Sequence, residues 1–384
     1  MAEFVLATLP DPAIVVCMTM SFQLPEQPTY LGDDVIAEVN TSPGFGKYFT
    51  DHMALADWDA EAGWYNDRLV PYATIGFDPA DAVFHYGQEI FEGLKAYRHA
   101  DGSIWLFRPR NNAVRFMNSA RRMDLPELPE EDFMNSVTNL VKLDARWVPG
   151  GDEQSLYLRP FMIANESFLG VRSAKKVLYC CIASPVGAYF ESGVQPVDIW
   201  IARDQSRVAA GGTGAAKCGG NYAASLMTQE VAYQKGCSQV LFTDAATHTF
   251  IEELGGMNFF MVTKSGQLVT PDLNGNVLPG VTRDSLLALA PTLDLTPVER
   301  PIPLAEVLDG LASGDVTEVF ACGTAAVITP IGSLHDEDGR HDTPGDHKVT
   351  LALRQRLCDI QWGRAPDPFG WMQKVVDADK TQVS

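Results

Sequence analysis

Apolar and polar positions alternate at two different periods along this 384-residue chain, and the switches between them mark out short elements. The aromatic-rich stretch over 44–58 reads as a strand region. Gly93-Leu94-Lys95-Ala96-Tyr97-Arg98 and Ile104-Trp105-Leu106-Phe107 flank Asp101-Gly102, which predicts a hairpin. Val114, Met117 and Ala120 then fall at helical spacing over 111–123, with Pro126 beyond the end. A second helix is predicted over 130–147, closed by Pro149-Gly150-Gly151, and strands follow over 155–163 and 176–183. Turn formers crowd 185–193, mid-chain, and place a domain boundary there.

The second half opens with a strand over 197–202. A helix over 221–235 ends at Gly236, and a buried strand follows over 240–243. A hairpin over 258–270 turns at Lys264-Ser265-Gly266-Gln267. A helix over 283–290 is entered from Pro279-Gly280-Val281-Thr282. Val319-Phe320-Ala321 leads into Cys322-Gly323-Thr324-Ala325-Ala326, and a last helix covers 347–362. Helices mixed with hairpins, without internal repeats, predict an α/β (α+β) protein, and the length predicts two domains.

Composition narrows the function. The chain is 46% hydrophobic and 20% charged, ordinary for a globular protein. Its net charge of -20 is the reverse of a nucleic-acid binder's balance. No stretch approaches the roughly 20 apolar residues of a membrane span. The seven cysteines (Cys17, Cys180, Cys181, Cys218, Cys237, Cys322 and Cys358) form no C-x-x-C pair or His/Cys cluster. That speaks against a disulfide framework or a metal site and for a reducing cytoplasm. The first residues are mildly apolar but carry Pro10 and Pro12 and no positive leader, and residues 1–40 are expected to be a disordered extension.

Candidate chemistry concentrates in Gly211-Gly212-Thr213-Gly214-Ala215-Ala216-Lys217-Cys218-Gly219-Gly220-Asn221-Tyr222. A P-loop would need Gly before the lysine and Ser or Thr after it, and here those positions are Ala216 and Cys218. A dinucleotide fingerprint fails where Lys217 replaces its third glycine. What remains is a lysine between glycine clusters, where the backbone can approach a ligand and a desolvated amine can act as a nucleophile. Pyridoxal phosphate needs a lysine, an acidic partner for its ring nitrogen, a phosphate cup and a group on its ring oxygen. Lys217, Tyr222, either Glu252 or Glu253, the Val281-Thr282 helix start and the Gly323-Thr324-Ala325 turn can supply them in order.

Several segments together resemble the branched-chain amino-acid aminotransferases of the class IV (fold type IV) pyridoxal-phosphate group. They are the runs over 45–53, 85–96 and 156–160, the Lys217 segment, and the runs over 253–258, 278–283 and 323–326, spanning Phe45 to Leu334. The resemblance implies a small open α/β sandwich over 41–190, a linker over 191–196 and a larger pseudo-barrel domain over 197–384 that binds the cofactor. It puts the Schiff-base lysine at Lys217, the ring-oxygen tyrosine at Tyr222, the ring-nitrogen glutamate at Glu253 and the phosphate arginine at Arg115. Read alone, Arg115 is a solvated helix residue. Val281, Thr282 and Thr324 complete the phosphate cup. The side-chain pocket falls on Phe45, Tyr86, Phe91, Tyr157, Tyr189 and Met257, with Arg159 placed to hold a distal carboxylate. The N–H groups of Thr324 and Ala325 would hold the substrate carboxylate.

The activity implied is reversible transfer of the amino group of L-leucine, L-isoleucine and L-valine to 2-oxoglutarate, by a homodimer in the cytoplasm. Partners are small amino acids and 2-oxo acids, with no nucleic acid, membrane or metal. Two positions depart from some relatives. Ala326 and Thr329 stand where a C-x-x-C redox pair occurs, and Gly256 stands where a threonine occurs. The competing reading is a D-amino-acid aminotransferase or aminodeoxychorismate lyase of the same fold.

Overall fold

A computed structural model of the chain describes residues 19–187 and 194–378. Two sheets organise it. The first has eight strands in the order Met372–Val376, Ile104–Phe107, Leu94–Arg98, Ser155–Ala164, Lys176–Val186, His52–Asp59 and Gly63–Pro71, with Glu89–Phe91 added beside Ser155–Ala164. Every pairing in it is antiparallel.

The helices Pro109–Arg122 and Glu130–Leu143 belong to this sheet's core. Their buried side chains, among them Phe116, Phe133, Val137 and Leu140, meet Leu156, Leu158 and Tyr179 of the sheet. The first helix buries Ala113, Phe116 and Ala120, whereas Val114 from the stripe read in the sequence is 46% exposed. The buried stripe is therefore offset by a residue, a shift that also turns Arg115 inward.

The second sheet has nine strands. Ile251–Leu254, Gln239–Thr243, Val197–Ile201, Val327–Asp336, Val316–Gly323 and Met257–Thr263 follow one another, and the last pairs back with the first. That closure makes a barrel, matching the pseudo-barrel expectation and leaving those strands no free edge. Gln267–Thr270 and Thr296–Glu299 extend the sheet beyond the ring. The helices Val281–Leu289 and Lys348–Gln361 cover one part of the barrel, sharing a core with Phe260, Phe320 and Ile328.

Three expectations are corrected. Residues 19–40 are not an unstructured extension. Phe22 is fully buried, Asp33–Thr41 is a helix, and Met20 N–H donates to Asp132 Oδ1 at 2.8 Å. The Ser21 and Phe22 N–H groups donate to Asp67, so polar side chains satisfy the backbone of this segment while its apolar side chains reach the core. The strand Lys176–Val186 runs through Pro185 and Val186, where turn formers suggested a break, and Tyr189 lies outside the described residues. The helix expected over 221–235 is divided into Gly219–Ala223 and Leu226–Gln234. Ser225 Oγ donates to Tyr222 O at 2.7 Å at the break, a local bond that competes with helix continuation. The C-terminal strand Met372–Val376 also leaves the barrel half of the chain to pair with Ile104–Phe107 of the first sheet.

Candidate active site

A cavity of about 240 Å³ opens between the two sheets. The first sheet and its helix contribute Phe91, Gly93, Arg115, Tyr157 and Arg159. The barrel contributes Glu253, Met257, Asn258, the turn Gly323 to Ala326, and the helix start Gly280 to Thr282. The Lys217 segment and Tyr222 complete the wall.

The lysine is held from both halves. Lys217 N–H donates to Ser119 Oγ at 3.0 Å, and Phe91 N–H donates to Lys217 O at 2.9 Å. Asn221 Nδ2 donates to Thr213 O and Ala216 O at 2.8 and 2.9 Å, closing the segment on itself. The side chain extends into the cavity, where Nζ lies 2.7 Å from Tyr222 Oη and 4.8 Å from the centre of the Phe91 ring. One neighbouring glycine serves packing. A Cβ at Gly214 would fall 2.5 Å from Asn276 Cα, so glycine lets two backbones cross there.

Glu253 lies in the cavity wall. Its neighbour Glu252 is buried too, because the Ile251–Leu254 strand is irregular between Ile251 and Glu253 and simple alternation breaks down. Asn276 Nδ2 donates to Glu252 Oε1 at 2.7 Å, whereas Glu253 lines the cavity and pairs with Arg207 at 2.6 Å. Leu278 N–H adds a donor to Glu253 at 3.3 Å. Burial pushes the Glu253 carboxyl above the ordinary carboxylate range, with Arg207 opposing.

Arg115, also in the wall, is buried against Glu92 in a two-pronged pair, Nε to Oε1 at 2.6 Å and Nη2 to Oε2 at 2.9 Å. Its Nη1 donates to Pro279 O at 3.3 Å, which brings the guanidinium to the start of the helix Val281–Leu289. The first bond into that helix runs from Asp284 N–H to Gly280 O, so the N–H groups of Val281, Thr282 and Arg283 precede it without intrahelical partners. Free N–H groups, the helix dipole and a guanidinium make an anion cup.

Most site residues read from the sequence meet here: Phe45, Phe91, Arg115, Tyr157, Arg159, Lys217, Tyr222, Glu253, Met257, Val281, Thr282, Thr324 and Ala325 all line the cavity. Tyr86 does not. It ends the helix Ala82–Tyr86, Gly87 turns the chain away with φ 59°, and its ring is 39% exposed beside Phe168. Arg159 stacks over Phe91 and Tyr157 at 4.9 and 5.3 Å, and its Nε is buried without a hydrogen-bond partner. Sequence reasoning misses Glu92 and Arg207. Neither carries a local signal: Glu92 is one of two glutamates flanking Ile90-Phe91, with Glu89 the other, and nothing around Arg207 marks it.

An amine, an ionisable carboxyl and an anion cup lining one cavity suit a molecule that carries a carbonyl, a basic ring nitrogen and a phosphate. That donor set fits pyridoxal phosphate.

Comparison with known proteins agrees. The family model for class IV amino-transferases matches residues 89–334. The chain is 51% identical over 351 residues to the branched-chain-amino-acid aminotransferase of Mycolicibacterium smegmatis, covering 89% of this chain and 95% of that one. Among solved structures, the branched-chain amino acid aminotransferase of Escherichia coli superposes with a TM-score of 0.68 at 25% identity, covering 85% of this chain and 99% of that one. The holo, PLP-form branched-chain amino acid aminotransferase from Thermobaculum terrenum shares the fold, with a TM-score of 0.69 at 24% identity over 85% and 99% of the two chains. The chain belongs to the class IV aminotransferase family.

Proposed function

We propose that this chain is a branched-chain-amino-acid transaminase. It exchanges the amino groups of L-leucine, L-isoleucine and L-valine with 2-oxoglutarate, using pyridoxal 5'-phosphate. The observation that carries the reading is Lys217 Nζ, 2.7 Å from Tyr222 Oη in a cavity capped by Glu253 and Arg115, in a chain half identical to an enzyme of that name.

Bound there, the cofactor supplies a carbonyl for the amine and a ring that accepts the electron pair left at Cα. Arg115, Thr282, Thr324 and the N–H groups at the start of Val281–Leu289 bind its phosphate. Glu253 holds a proton at the ring nitrogen, and its raised pKa suits sharing that proton. Tyr222 orients Lys217 through its hydroxyl. Lys217 Nζ would take the proton from the substrate Cα and deliver it to the carbon of the cofactor's former carbonyl, working as base and then acid. Thr324 and Ala325 N–H groups orient the substrate carboxylate. Phe45, Phe91, Tyr157 and Met257 form an apolar wall for the branched side chain and exclude water. Arg159, stacked at that wall, holds the second carboxylate of glutamate or 2-oxoglutarate.

The reading extends to a homodimer, as the family resemblance implies. Exposed Phe84, Tyr86, Leu169 and Val171 suit a surface covered by a second copy, where Tyr86 would reach a pocket that its own chain does not give it. A reducing cytoplasm suits the free, buried cysteines described here.

The test is spectral. L-leucine added to the purified, cofactor-loaded protein without an acceptor is expected to bleach the visible band and release the branched 2-oxo acid. Bleaching by D-alanine alone would move the chain to the D-amino-acid branch. Lys217→Ala is expected to remove both the band and turnover, and turnover surviving that change would refute the assignment.

A further inference from the structure

Lys95 is the second lysine near the site and has no part in the chemistry above. It lies on the strand Leu94–Arg98, directly opposite Tyr157 in the pairing with Ser155–Ala164, and is only 5% exposed. Lysines are almost never buried without a partner, because the ammonium loses its hydration. Here Nζ donates to Ala325 O at 2.9 Å. That bond crosses from the first sheet to the barrel and ends on the turn between Val316–Gly323 and Val327–Asp336. Lys95 does not line the main cavity. It lies behind the wall, sharing a narrow void with Thr282, Gly323 and Thr324.

We infer that Lys95 is a positioning residue for the substrate carboxylate, fixing the Thr324-Ala325 turn from behind so that its N–H groups face the cavity. This deepens the proposed function and rests on its assignment of that turn to the carboxylate. The physics is a matter of dipoles. The Ala325 carbonyl and the turn's N–H groups belong to adjacent peptides, so anchoring the carbonyl oxygen outside the cavity limits rotation of both. A turn released from the ammonium could swing that oxygen toward the substrate, setting a negative dipole against a carboxylate. The ammonium also places a positive charge behind an anion site in a low-dielectric wall. Burial pulls its pKa down to about 8, with Arg354 lowering it and Cys358 and Glu153 opposing, so it keeps its charge at neutral pH.

Lys95→Met keeps the length and apolar stem and removes the donor. Two probes separate the ends of the substrate: isocaproate, which has leucine's carboxylate but no amine and cannot react, and isoamylamine, which has the amine, and so can join the cofactor's carbonyl, but no carboxylate. In the loaded enzyme, Lys95→Met is expected to raise the inhibition constant of isocaproate, and the KM for branched 2-oxo acids, about tenfold, the size of one charge-assisted hydrogen bond. The amplitude of the cofactor band, isoamylamine binding and kcat are expected to stay within about threefold, that is within ~0.7 kcal/mol. Lys95→Gln can still donate to Ala325 O and is expected to recover part of the loss, and it serves as the readout should the methionine variant fail to fold. Equal weakening of both probes would reduce Lys95 to a structural role and overturn the inference. Ala325→Pro, which removes one turn N–H, separates the two levels. Weaker isocaproate binding there with none in Lys95→Met overturns Lys95 alone. Unchanged binding in Ala325→Pro removes the turn from carboxylate recognition and the inference with it.

Discussion

Two buried arginine–glutamate pairs meet at the wall of the cavity, and the roles proposed for them are reversed. In the proposed site the arginine of one pair would face the cofactor's phosphate with its glutamate behind it, and the glutamate of the other would face the ring nitrogen with its arginine behind it. Both carboxyls are buried, yet they shift in opposite directions. Burial raises Glu92, but the charge and hydrogen bonds of Arg115, the charge of Lys217 and the Asn112 bond outweigh it, and the result lies below the ordinary range. Burial raises Glu253 too, and Arg207 with Leu278 N–H does not overcome it. The difference is in donors. Glu92 accepts two bonds from Arg115, one from Asn112 Nδ2 at 2.7 Å and one from Gly93 N–H at 3.0 Å. Glu253 has the Arg207 contact and one long bond from Leu278. A carboxylate fully solvated by protein donors makes a fixed counter-charge, whereas an under-supplied one makes a group that can share a proton.

The sharpest way to break this comparison is to remove the fixed charge. Glu92→Ala leaves the Arg115 guanidinium buried without its partner, which costs about 3–5 kcal/mol. The expected outcome is a large drop in melting temperature and loss of retained cofactor on gel filtration. The pH sense follows from the lowered pKa. Glu92 stabilises the fold above the unfolded carboxylate value of about 4.3, and this contribution is lost as pH falls through the lower folded value. The gap in stability between parent and variant is therefore expected to close in acid. A gap that stayed constant through that range, or a variant that melted with the parent, would show that Glu92 is not the counter-charge described.

The weaker effect on stability belongs to Glu253. Glu253→Gln keeps the acceptor for Leu278 N–H and is expected to retain bound cofactor while kcat falls roughly a hundredfold, the usual loss when one preorganised electrostatic group is removed. Half-reaction spectra with L-leucine measure it. A near-parental rate would take Glu253 out of the ring-nitrogen role and make its raised pKa a by-product of burial.

The two pairs also show what a sequence can and cannot disclose. The hairpin at Asp101-Gly102, the strands around Tyr157 and the helix start at Val281 follow from local turn chemistry and periodicity, and the structure has them. Lys217 and Tyr222 are legible because the glycine-flanked segment is local. The choice between Glu252 and Glu253 is not legible from alternation, because the strand is irregular at that point. Arg115 reads as solvated when the exposed Val114 is counted in the apolar stripe, whose true members are Ala113, Phe116 and Ala120. Only the family resemblance places it. Arg207, in the irregular segment after the strand Val197–Ile201, pairs with Glu253 on a strand distant in sequence, and no period or turn signal encodes that contact. Long-range electrostatic partners are thus the part of the site that folding creates and local pattern does not announce.

The mildest perturbation asks whether the phosphate-end pair serves the fold or the ligand. In the double variant Arg115→Met with Glu92→Gln, neither charge remains, and the new amide can still accept from Asn112 or Gly93. Buried ion pairs replaced as a unit are often neutral for stability, because the desolvation of two charges is avoided together with their attraction. The stability of the apoprotein is therefore expected to return to within about 1–2 kcal/mol of the parent, against the larger loss in Glu92→Ala. Cofactor retention is not expected to return, since the guanidinium proposed to hold the phosphate is gone. Recovery of stability without recovery of binding would assign the pair to the ligand. Failure to recover stability would show that the surrounding groups need the pair itself, and the symmetry between the two pairs would then be one of composition only.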